Sequence, residues 1–356
     1  MKILLATRGR MFYDLQKLVA DTIEILGHIP KTINDVSDNV GDVDCILIMG
    51  DANWLHTKGL TIEFFERFDC PIVYWHFEPM PFPGISSRAQ RMGRRLANCQ
   101  WDKLLGGQLK KFRSLLSMRL IRRMASFGLR SELAANGWPS AQLMHIDQLY
   151  EQFAQQLWVD NTKESFVAVF SDSMPRVLAL RDLGIPASFE PIPYGEAWGT
   201  DRGEVRDLDV VFLGSLYRTK RKRLLERVRA TLSHSGFALS VVDKDCYGPQ
   251  RNDLLNRAKI VLDIVKYPTE LQSFRMLMST CCGALLVSNC PGDSQPYIAG
   301  EHFVRTTDEA LPGSLLEYLR DAEARQAIVR NAQAFVRNKL SVQSTVRRLF
   351  SAVIEK

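Results

Sequence analysis

Short apolar segments, each about four to six residues long, recur along the chain and alternate with stretches of helical periodicity. In the first half these segments are KILLAT, DCILIM, CPIVYWHF, FVAVF and ASFEPIP, and in the second half VVFLGS, FALSVV, KIVLDIV and GALLVS. Strands that alternate with helices are typical of parallel α/β sheets rather than of all-helical or all-β folds. Because the alternation stops once and then restarts, the sequence predicts two Rossmann-like domains facing a cleft.

The interruption lies at residues 194–208, which are rich in glycine and charge and poor in apolar side chains. We interpret this stretch as an interdomain linker. The predicted domains are then 1–193 and 209–340, and we expect 341–356 to form a helix that returns to the N-terminal domain. A chain of 356 residues is long enough for two separate cores. Within the first domain, a long basic helical stretch at 87–130 breaks the strand–helix rhythm.

Composition excludes several classes of protein. The seven cysteines include no Cys-x-x-Cys pair, which fits neither a disulfide framework nor a structural zinc site. The N-terminal MKILLATRGR has too short an apolar run for a signal peptide and resembles a first strand. No segment approaches the roughly 18 apolar residues of a membrane span. We therefore expect a cytoplasmic protein, with the inner face of the cell membrane as a further hypothesis.

The loop after the first strand of the second half has the residues that bind phosphate. Open α/β sheets bind ligands beyond the carboxyl ends of their strands. In VVFLGSLYRTKRKR the strand ends at Gly214 and Ser215, and a helix then begins with the cations Arg218, Lys220, Arg221, Lys222 and Arg223. A helix N-terminus with such cations suits a phosphate or diphosphate. A solvated basic helix start is the alternative.

Two later loops at the same edge contain further candidates. Tyr247 follows the next strand and either stacks on a base or closes a turn with Gly248. Glu270, Ser273 and Arg275 stand at the start of a helix that is expected to begin near Gln272, where hydroxyl and phosphate groups would be in reach. The apolar face of this helix is expected to pack in the core, and its Phe274 is also a candidate for the ligand site.

Four segments, in this order over 207–336, resemble the nucleotide-sugar-binding domain of GT-B-fold glycosyltransferases: VVFLGSLYRTKRKR, LLNRAKIVLDIV, ELQSFRMLMSTCCGALLVS and GEHFVRTTDEALPGSLLEYLRDAEARQAIVRNA. The resemblance is to the large retaining family and its spore-maturation-like relatives. It implies that Glu270 contacts the donor sugar and that Arg218, the 220–223 run and Arg275 contact phosphate. A second glutamate, which holds the ribose in that family, corresponds here to Met278. A thioether is only a weak hydrogen-bond acceptor, so either the ribose is held otherwise or the site is inactive.

The first half resembles an acceptor-binding GT-B domain only through strand order and a few short segments. Its YWHFEPMPFPG places His76 and Glu78 on a predicted loop, and Asp51 follows the strand ILIMG. Each of these three side chains is a candidate to deprotonate or orient an acceptor hydroxyl. The alternatives are a structural histidine at a strand end and, for Asp51, a helix cap.

These features predict an enzyme that transfers a sugar from a nucleotide diphosphate donor to a hydroxyl acceptor, with bacterial cell-surface glycan synthesis as the setting that the resemblance implies. Side-chain cations would stabilise the leaving diphosphate, so we expect neither a cofactor nor a metal. A nucleotide-sugar epimerase and a catalytically silent GT-B-like interaction protein are the alternatives.

The basic stretch at 87–130 contains twelve cations against a single acid, Asp102. Interleaved apolar residues predict an apolar stripe beneath the basic one, as in helices that lie on anionic membranes. The hypothesis is that this segment brings a lipid-linked or other anionic glycan acceptor to the protein. The alternative is that the stripe packs on its own domain and the arginines are solvated. No nucleic-acid-binding module accompanies the charge, so nucleic acid is not expected.

Overall fold

The computed structural model describes residues 1–7, 13–33, 35–50, 59–78, 80–81, 86–98, 129, 131–133, 146–216, 219–243, 246–265, 270–271 and 273–354. The chain forms two compact units. The first contains Met1–Arg8 and Lys31–Phe189, and the second contains Gly9–Pro30 and Glu190–Lys356. Each unit has a largely parallel sheet with helices, which confirms the predicted α/β class.

The sheet of the first unit has the strand order β2-β1-β3-β4-β5-β6. Its strands are β1 (Lys2–Thr7), β2 (Ile29–Ile33), β3 (Cys45–Met49), β4 (Ile72–His76), β5 (Ala168–Ser171) and β6 (Ser188–Phe189). The pairs from β1 through β3, β4 and β5 to β6 are parallel. Every residue of β3 and β4 is buried, because helices cover both faces of a parallel sheet.

The helices described in the N-terminal half are α1 (Tyr13–Ile25), α2 (Ile62–Glu66), α3 (Ser87–Asn98), α4 (Ile146–Thr162) and α5 (Met174–Arg181). Helix α1 belongs to the second unit. Helix α3 packs against α4 in the first unit, and Gly93 of α3 faces the buried ring of Phe153. The structure describes the predicted basic stretch only at 87–98 and at residue 129, so the rest of that prediction lies outside the described residues.

The sheet of the second unit is parallel throughout and has the order β11-β10-β9-β7-β8. Its strands are β7 (Leu208–Leu213), β8 (Leu239–Val242), β9 (Ala258–Asp263), β10 (Leu285–Ser288) and β11 (Val304–Arg305). From β7 the chain moves to β8 on one side and then returns to β9 on the other. The carboxyl ends of β7 and β9 therefore form a topological switch point, the place where open α/β sheets bind ligands.

The further helices described in the second unit are α6 (Thr219–His234), α7 (Gly248–Arg257), α8 (Ser273–Cys281), α9 (Leu311–Arg320), α10 (Ala322–Lys339) and α11 (Val342–Ile354). Helix α11 packs against α1. We expected 341–356 to return to the N-terminal domain, and α1 does come from the N-terminal part of the sequence, although it is part of the second unit.

Residues 194–208, which the sequence suggested as a linker, lie inside the second unit. Trp198 is 1% exposed, and its indole N–H donates a 2.9 Å hydrogen bond to the Pro193 carbonyl. Arg206 pairs with Asp201 at 3.0 Å and donates to several backbone carbonyls of the unit, including that of Cys282 at 2.8 Å. These contacts hold residues 194–208 against the rest of the second unit, although their composition is typical of a loop.

Among the described residues, no helix combines the length and the apolar character that crossing a membrane requires.

Candidate active site

Arg275 joins three elements at the switch point of the second unit. It projects from the first turn of α8, and its Nη1 donates to the Asp263 carboxylate at the end of β9. Its Nη2 donates a 2.9 Å hydrogen bond to the carbonyl of Leu213 at the end of β7. Asp263 is fully buried, and the Ser288 hydroxyl donates to its second oxygen at 2.7 Å. The buried charge is thus compensated by a cation and a hydroxyl from two neighbouring elements.

Gly214 begins the turn after β7, directly beside this guanidinium. Its φ of +155° lies in a region that other residues rarely adopt, and a Cβ there would lie 3.1 Å from Nη2 of Arg275. The Gly214 N–H donates a 2.9 Å hydrogen bond to the carbonyl of Val242 at the end of β8. Glycine is therefore favoured here both by the backbone conformation and by the close approach of Arg275.

Arg221 braces the same turn from the first half of α6. It is 8% exposed, donates 2.9 Å to the Ser215 carbonyl and 2.5 Å to the Ile264 carbonyl, and so spans the ends of β7 and β9. The guanidinium carbons of Arg221 and Arg275 lie 5.4 Å and 5.8 Å from the centroid of the Phe212 ring. Two arginines of this region thus shape the turn through contacts within the protein.

The predicted phosphate-binding residues reach the same edge of the sheet with different exposure. Ser215 and Lys222 are exposed, and Gly214 is half-buried. Lys220 lies in the first turn of α6, where its side chain is not described, and Arg218 lies outside the described residues. Tyr247 directly precedes α7 and is 55% exposed, so its ring is accessible for stacking. Their roles in binding remain predictions.

Glu270 lies next to Asp293, a carboxylate that was not predicted as a site residue from the sequence. It is 6% exposed and forms a parallel bridge with Asp293, whose carbonyl accepts a 2.8 Å hydrogen bond from the N–H of Leu271. The pKa of Asp293 is raised, mainly by burial and also by the charge of Glu270. The loop after β10 thus adds a second carboxyl group to the predicted donor-sugar region.

Two residues of α8 complete the predicted set. Ser273 is half-buried in the first turn, and Phe274 packs edge-on against Trp198, with the ring centroids 5.5 Å apart. Because Trp198 is buried, this contact supports the expected core packing of Phe274, whereas its role in the ligand site stays a prediction. Met278, one turn further on, is also half-buried.

The first unit places His76 differently from the sequence expectation. His76 is the last residue of β4 rather than part of the following loop, and it is fully buried. Its Nδ1 lies 2.8 Å from the Tyr74 hydroxyl, and its Nε2 has no hydrogen-bond partner among the described residues. Burial, and secondly the charge of Arg176, lower the pKa of His76 to about 3. Glu78 is half-buried, and Asp51 lies outside the described residues.

The described residues include no group of three or more histidine, cysteine, aspartate or glutamate side chains that could hold a metal ion. The sequence does contain carboxylates at Asp-x-Asp spacing near the switch point, Asp243 and Asp245, of which only Asp243 is described. The expectation of metal independence therefore stays a prediction.

Sequence patterns signalled some of these contacts and not others. Asp263 is a lone acid within the apolar segment KIVLDIV, and such a residue predicts a buried, compensated charge. Nothing in the sequence distinguishes Arg221 from the exposed cations beside it, and Asp293 stands in a loop rich in glycine and proline without a motif.

The fold and the site define a GT-B-type protein: two parallel α/β units, the second with a cationic turn at its switch point. Residues 194–351 match the family described as Glycosyl transferase-like. This match confirms the glycosyltransferase resemblance and the transferase class predicted from the sequence, and the structures below share the fold.

Three solved structures have a similar fold. HepE of Anabaena in complex with UDP-glucose has a TM-score of 0.56 and 10% identity over 100% of both chains. WaaG, a glycosyltransferase involved in lipopolysaccharide biosynthesis, has a TM-score of 0.52 and 11% identity over 99% of this chain and 100% of its own. A point mutant of S. aureus TarM, in complex with Fondaparinux, alpha-GlcNAc-glycerol and UDP, has a TM-score of 0.52 and 9% identity over 86% of this chain and 55% of its own. No curated protein matches the chain in sequence.

Proposed function

We propose that the protein transfers a sugar from a nucleotide diphosphate donor, with UDP-glucose as the first candidate, to a hydroxyl group of a glycan acceptor in bacterial cell-surface glycan synthesis. The observation that carries this proposal is the braced turn at Gly214 and Ser215, which stands before a basic helix at the switch point of the second unit. The similar fold of HepE, which was solved with UDP-glucose, supports the choice of donor.

The diphosphate binds at the start of α6. The free backbone N–H groups of a helix N-terminus and the helix dipole both favour an anion there. Lys222 is exposed, and Arg218 and Lys220 stand in the same short run, so the cations of this run supply charge-assisted hydrogen bonds to the phosphates. Arg275 and Arg221 hold the turn in shape, and Arg275 also places a positive group beneath it.

In the transfer, the bond between C1 of the sugar and the diphosphate oxygen breaks, and a bond between C1 and the acceptor oxygen forms. The cations take up the charge that develops on the diphosphate, which is electrostatic stabilisation without a metal. Glu270, and Ser273 beside it, orient the sugar hydroxyls, and Tyr247 stacks on the base. The proton of the acceptor hydroxyl passes to a base, for which Glu78 and Asp51 are the remaining candidates. His76 is fully buried and its pKa is lowered to about 3, so it is a poor base for an acceptor hydroxyl.

The basic stretch at 87–130 attaches the protein to an anionic membrane surface, where a lipid-linked acceptor is presented. In α3, Arg88 is 73% exposed and lies 3.6 Å from Glu132, whereas Arg94 forms a closer pair with Asp160 at 2.6 Å. Arg91 is exposed as well. Near an anionic surface each cation contributes on the order of 1 kcal/mol, so several are needed for binding.

Liposome flotation tests this part of the proposal. We expect salt-sensitive binding to vesicles that contain anionic lipid, and loss of binding when Arg119, Arg122 and Arg123 are changed to Glu. Equal partitioning with neutral vesicles, or none with either, would refute membrane attachment while leaving the transferase proposal intact.

Calorimetry with a panel of nucleoside diphosphates, carried out in EDTA, tests the donor site, and release of nucleotide from UDP-glucose tests transfer. We expect one diphosphate to bind and release to require an acceptor. Conversion of the bound sugar without an acceptor would indicate an epimerase. Binding of none of the panel, with or without a divalent cation, would indicate a silent scaffold.

A further inference from the structure

A nucleotide donor presents the two ribose hydroxyls as hydrogen-bond donors, and a carboxylate is the side chain best suited to accept from both. The described carboxylates at the carboxyl edge of the second sheet are mostly engaged. Asp263 is bound by Arg275 and Ser288. Glu270 and Asp293 lie together in the predicted sugar region. Asp308 accepts a 2.6 Å hydrogen bond from Asn289.

Asp243 differs from these residues. It follows Val242, the last residue of β8, is exposed, and makes no hydrogen bond or ion pair with any other residue that the structure describes. Val242 pairs with Leu213 in the sheet, and its carbonyl accepts the 2.9 Å hydrogen bond from the Gly214 N–H. Asp243 therefore stands one strand away from the turn that is proposed to hold the diphosphate.

We propose that Asp243 binds the ribose hydroxyls of the nucleotide donor. This inference rests on the proposed function and adds to it the residue that recognises the nucleoside. The unit β7–α6–β8 places Gly214 after its first strand and Asp243 after its second. In dinucleotide-binding α/β folds, an acid at the end of the second strand of such a unit binds the ribose, while the glycine turn receives the phosphates.

The order of the strands agrees with one continuous ligand. Along the sheet, β8, β7, β9 and β10 follow one another, and neighbouring strands lie about 4.8 Å apart. Ribose at Asp243, diphosphate at Gly214 and sugar near Glu270 would then occupy successive positions along the carboxyl edge. Tyr247 lies four residues after Asp243 and is 55% exposed, so its ring is accessible to a base bound next to the ribose.

Two other roles are available to this carboxylate. The first is that of an ordinary surface carboxylate, whose oxygens accept hydrogen bonds from water alone. Asp243 also stands at Asp-x-Asp spacing with Asp245, an arrangement in which carboxylates contact a nucleotide through a divalent cation. The test therefore varies the ribose hydroxyls, the carboxylate and the metal separately.

The full-length protein is titrated calorimetrically, in EDTA, with UDP, 2′-deoxy-UDP and 3′-deoxy-UDP. Each charge-assisted hydrogen bond lost is expected to weaken binding by about 10- to 150-fold. Asp243→Ala loses both hydrogen bonds, so it should bind UDP at least as weakly as the wild type binds either deoxy analogue, and it should no longer distinguish the analogues from UDP. Glu226→Ala removes another exposed carboxylate from α6 and should behave as the wild type does.

The outcomes separate this inference from the proposed function. If UDP binds the wild type but Asp243→Ala still distinguishes UDP from its deoxy analogues to the same extent, another group holds the ribose and the inference is wrong. Equal binding of UDP and both analogues by the wild type overturns it too. Discrimination that appears only with Mn²⁺ assigns Asp243 to a metal and overturns direct binding. If neither UDP nor any other nucleoside diphosphate binds, the proposed function itself fails.

Discussion

Arg275 donates hydrogen bonds both to the Asp263 carboxylate and to the Leu213 carbonyl, so one side chain of α8 fixes the ends of β9 and β7. Asp263 is fully buried and Arg275 is 13% exposed at its side chain. The positive charge is thus balanced within the protein before any ligand binds. The pair connects the stability of the second unit to the shape of the turn at Gly214.

Replacing Asp263 by Asn should lower the stability of the second unit. The change leaves Arg275 without its counter-charge in a largely buried position, and removing one partner of such a pair costs about 3–5 kcal/mol of unfolding free energy. Urea unfolding measures this loss. Asp207→Asn is the matched control, because it breaks an aspartate–arginine pair of 2.6 Å with Arg257 that is about half exposed, and it should have little effect. Equal losses in the two variants would contradict the structural role of Asp263.

Replacing Glu270 by Gln should slow transfer while leaving the fold and UDP binding nearly unchanged. Gln keeps the size of a side chain that is 6% exposed, but it removes the charge that is proposed to orient the donor sugar. By analogy with the loss of one transition-state contact, kcat should fall roughly 100-fold or more. Steady-state kinetics and calorimetry with UDP measure the two effects. Glu309→Gln, at an exposed position, is the control. A normal kcat for Glu270→Gln would remove Glu270 from the active site.

The same pair of carboxyl groups predicts a pH effect on stability. The folded-state pKa of Asp293 is raised, so the folded protein holds this proton more tightly than the unfolded chain does. Its favourable contribution is complete below the ordinary pKa of 3.8 and is lost as the pH rises through the higher folded-state value. Urea unfolding from pH 3.5 to pH 6.5, in steps of about 0.5, should show the wild type losing stability relative to Asp293→Asn. A constant difference between the two proteins would show that the shift is absent.

The strands were predictable where burial requires a continuous apolar run in the sequence. Strand β3 is a continuous apolar run because both faces of a central parallel strand are covered. Strand β2 was not predicted, because an edge strand needs no continuous apolar run and its IPKTI contains a proline and a lysine. Residues 194–208 were interpreted as a linker on composition, although Trp198 within them was a signal of packing.

The site was less predictable, because its chemistry depends on which way similar side chains point. Arg221 and Lys222 are neighbours in one basic run, yet the first is buried against two carbonyls and the second is exposed. Likewise, the YWH motif did not reveal that His76 ends its strand as a buried residue. Sequence spacing indicates at which edge of the sheet a residue lies. Tertiary packing decides whether its side chain is buried against backbone carbonyls or is exposed and able to contact a ligand.

Acid should destabilise the first unit through His76. Its folded-state pKa of about 3 lies below the ordinary 6.5, so the unfolded chain binds the proton more readily. The stability conferred by the neutral ring is complete above pH 6.5 and falls by about 1.4 kcal/mol per pH unit below it, until the folded-state value is reached. His76→Asn should lose this slope in urea unfolding, and His234→Asn, at an exposed position, should keep it. An unchanged slope in His76→Asn would contradict the burial of a neutral ring.

Two glycines within helices, one in mid-helix and one in a first turn, should respond in opposite directions to the same substitution by alanine. In an open position Gly→Ala stabilises a helix by roughly 1 kcal/mol, since the unfolded glycine has more conformational freedom. Gly313 of α9 is such a position, because an added Cβ would have no atom within 4 Å. At Gly93 of α3 an added Cβ would clash with the ring of Phe153, which is fully buried.

Overpacking a core costs about 1–3 kcal/mol, which exceeds the helix gain, so Gly93→Ala should be destabilising and Gly313→Ala stabilising. Urea unfolding of the two variants measures both signs. A smaller partner should relieve the clash, so adding Phe153→Leu to Gly93→Ala should cost less than the sum of the two single changes. Strict additivity, or a gain in stability from Gly93→Ala alone, would mean that α3 does not approach α4 as closely as the structure shows.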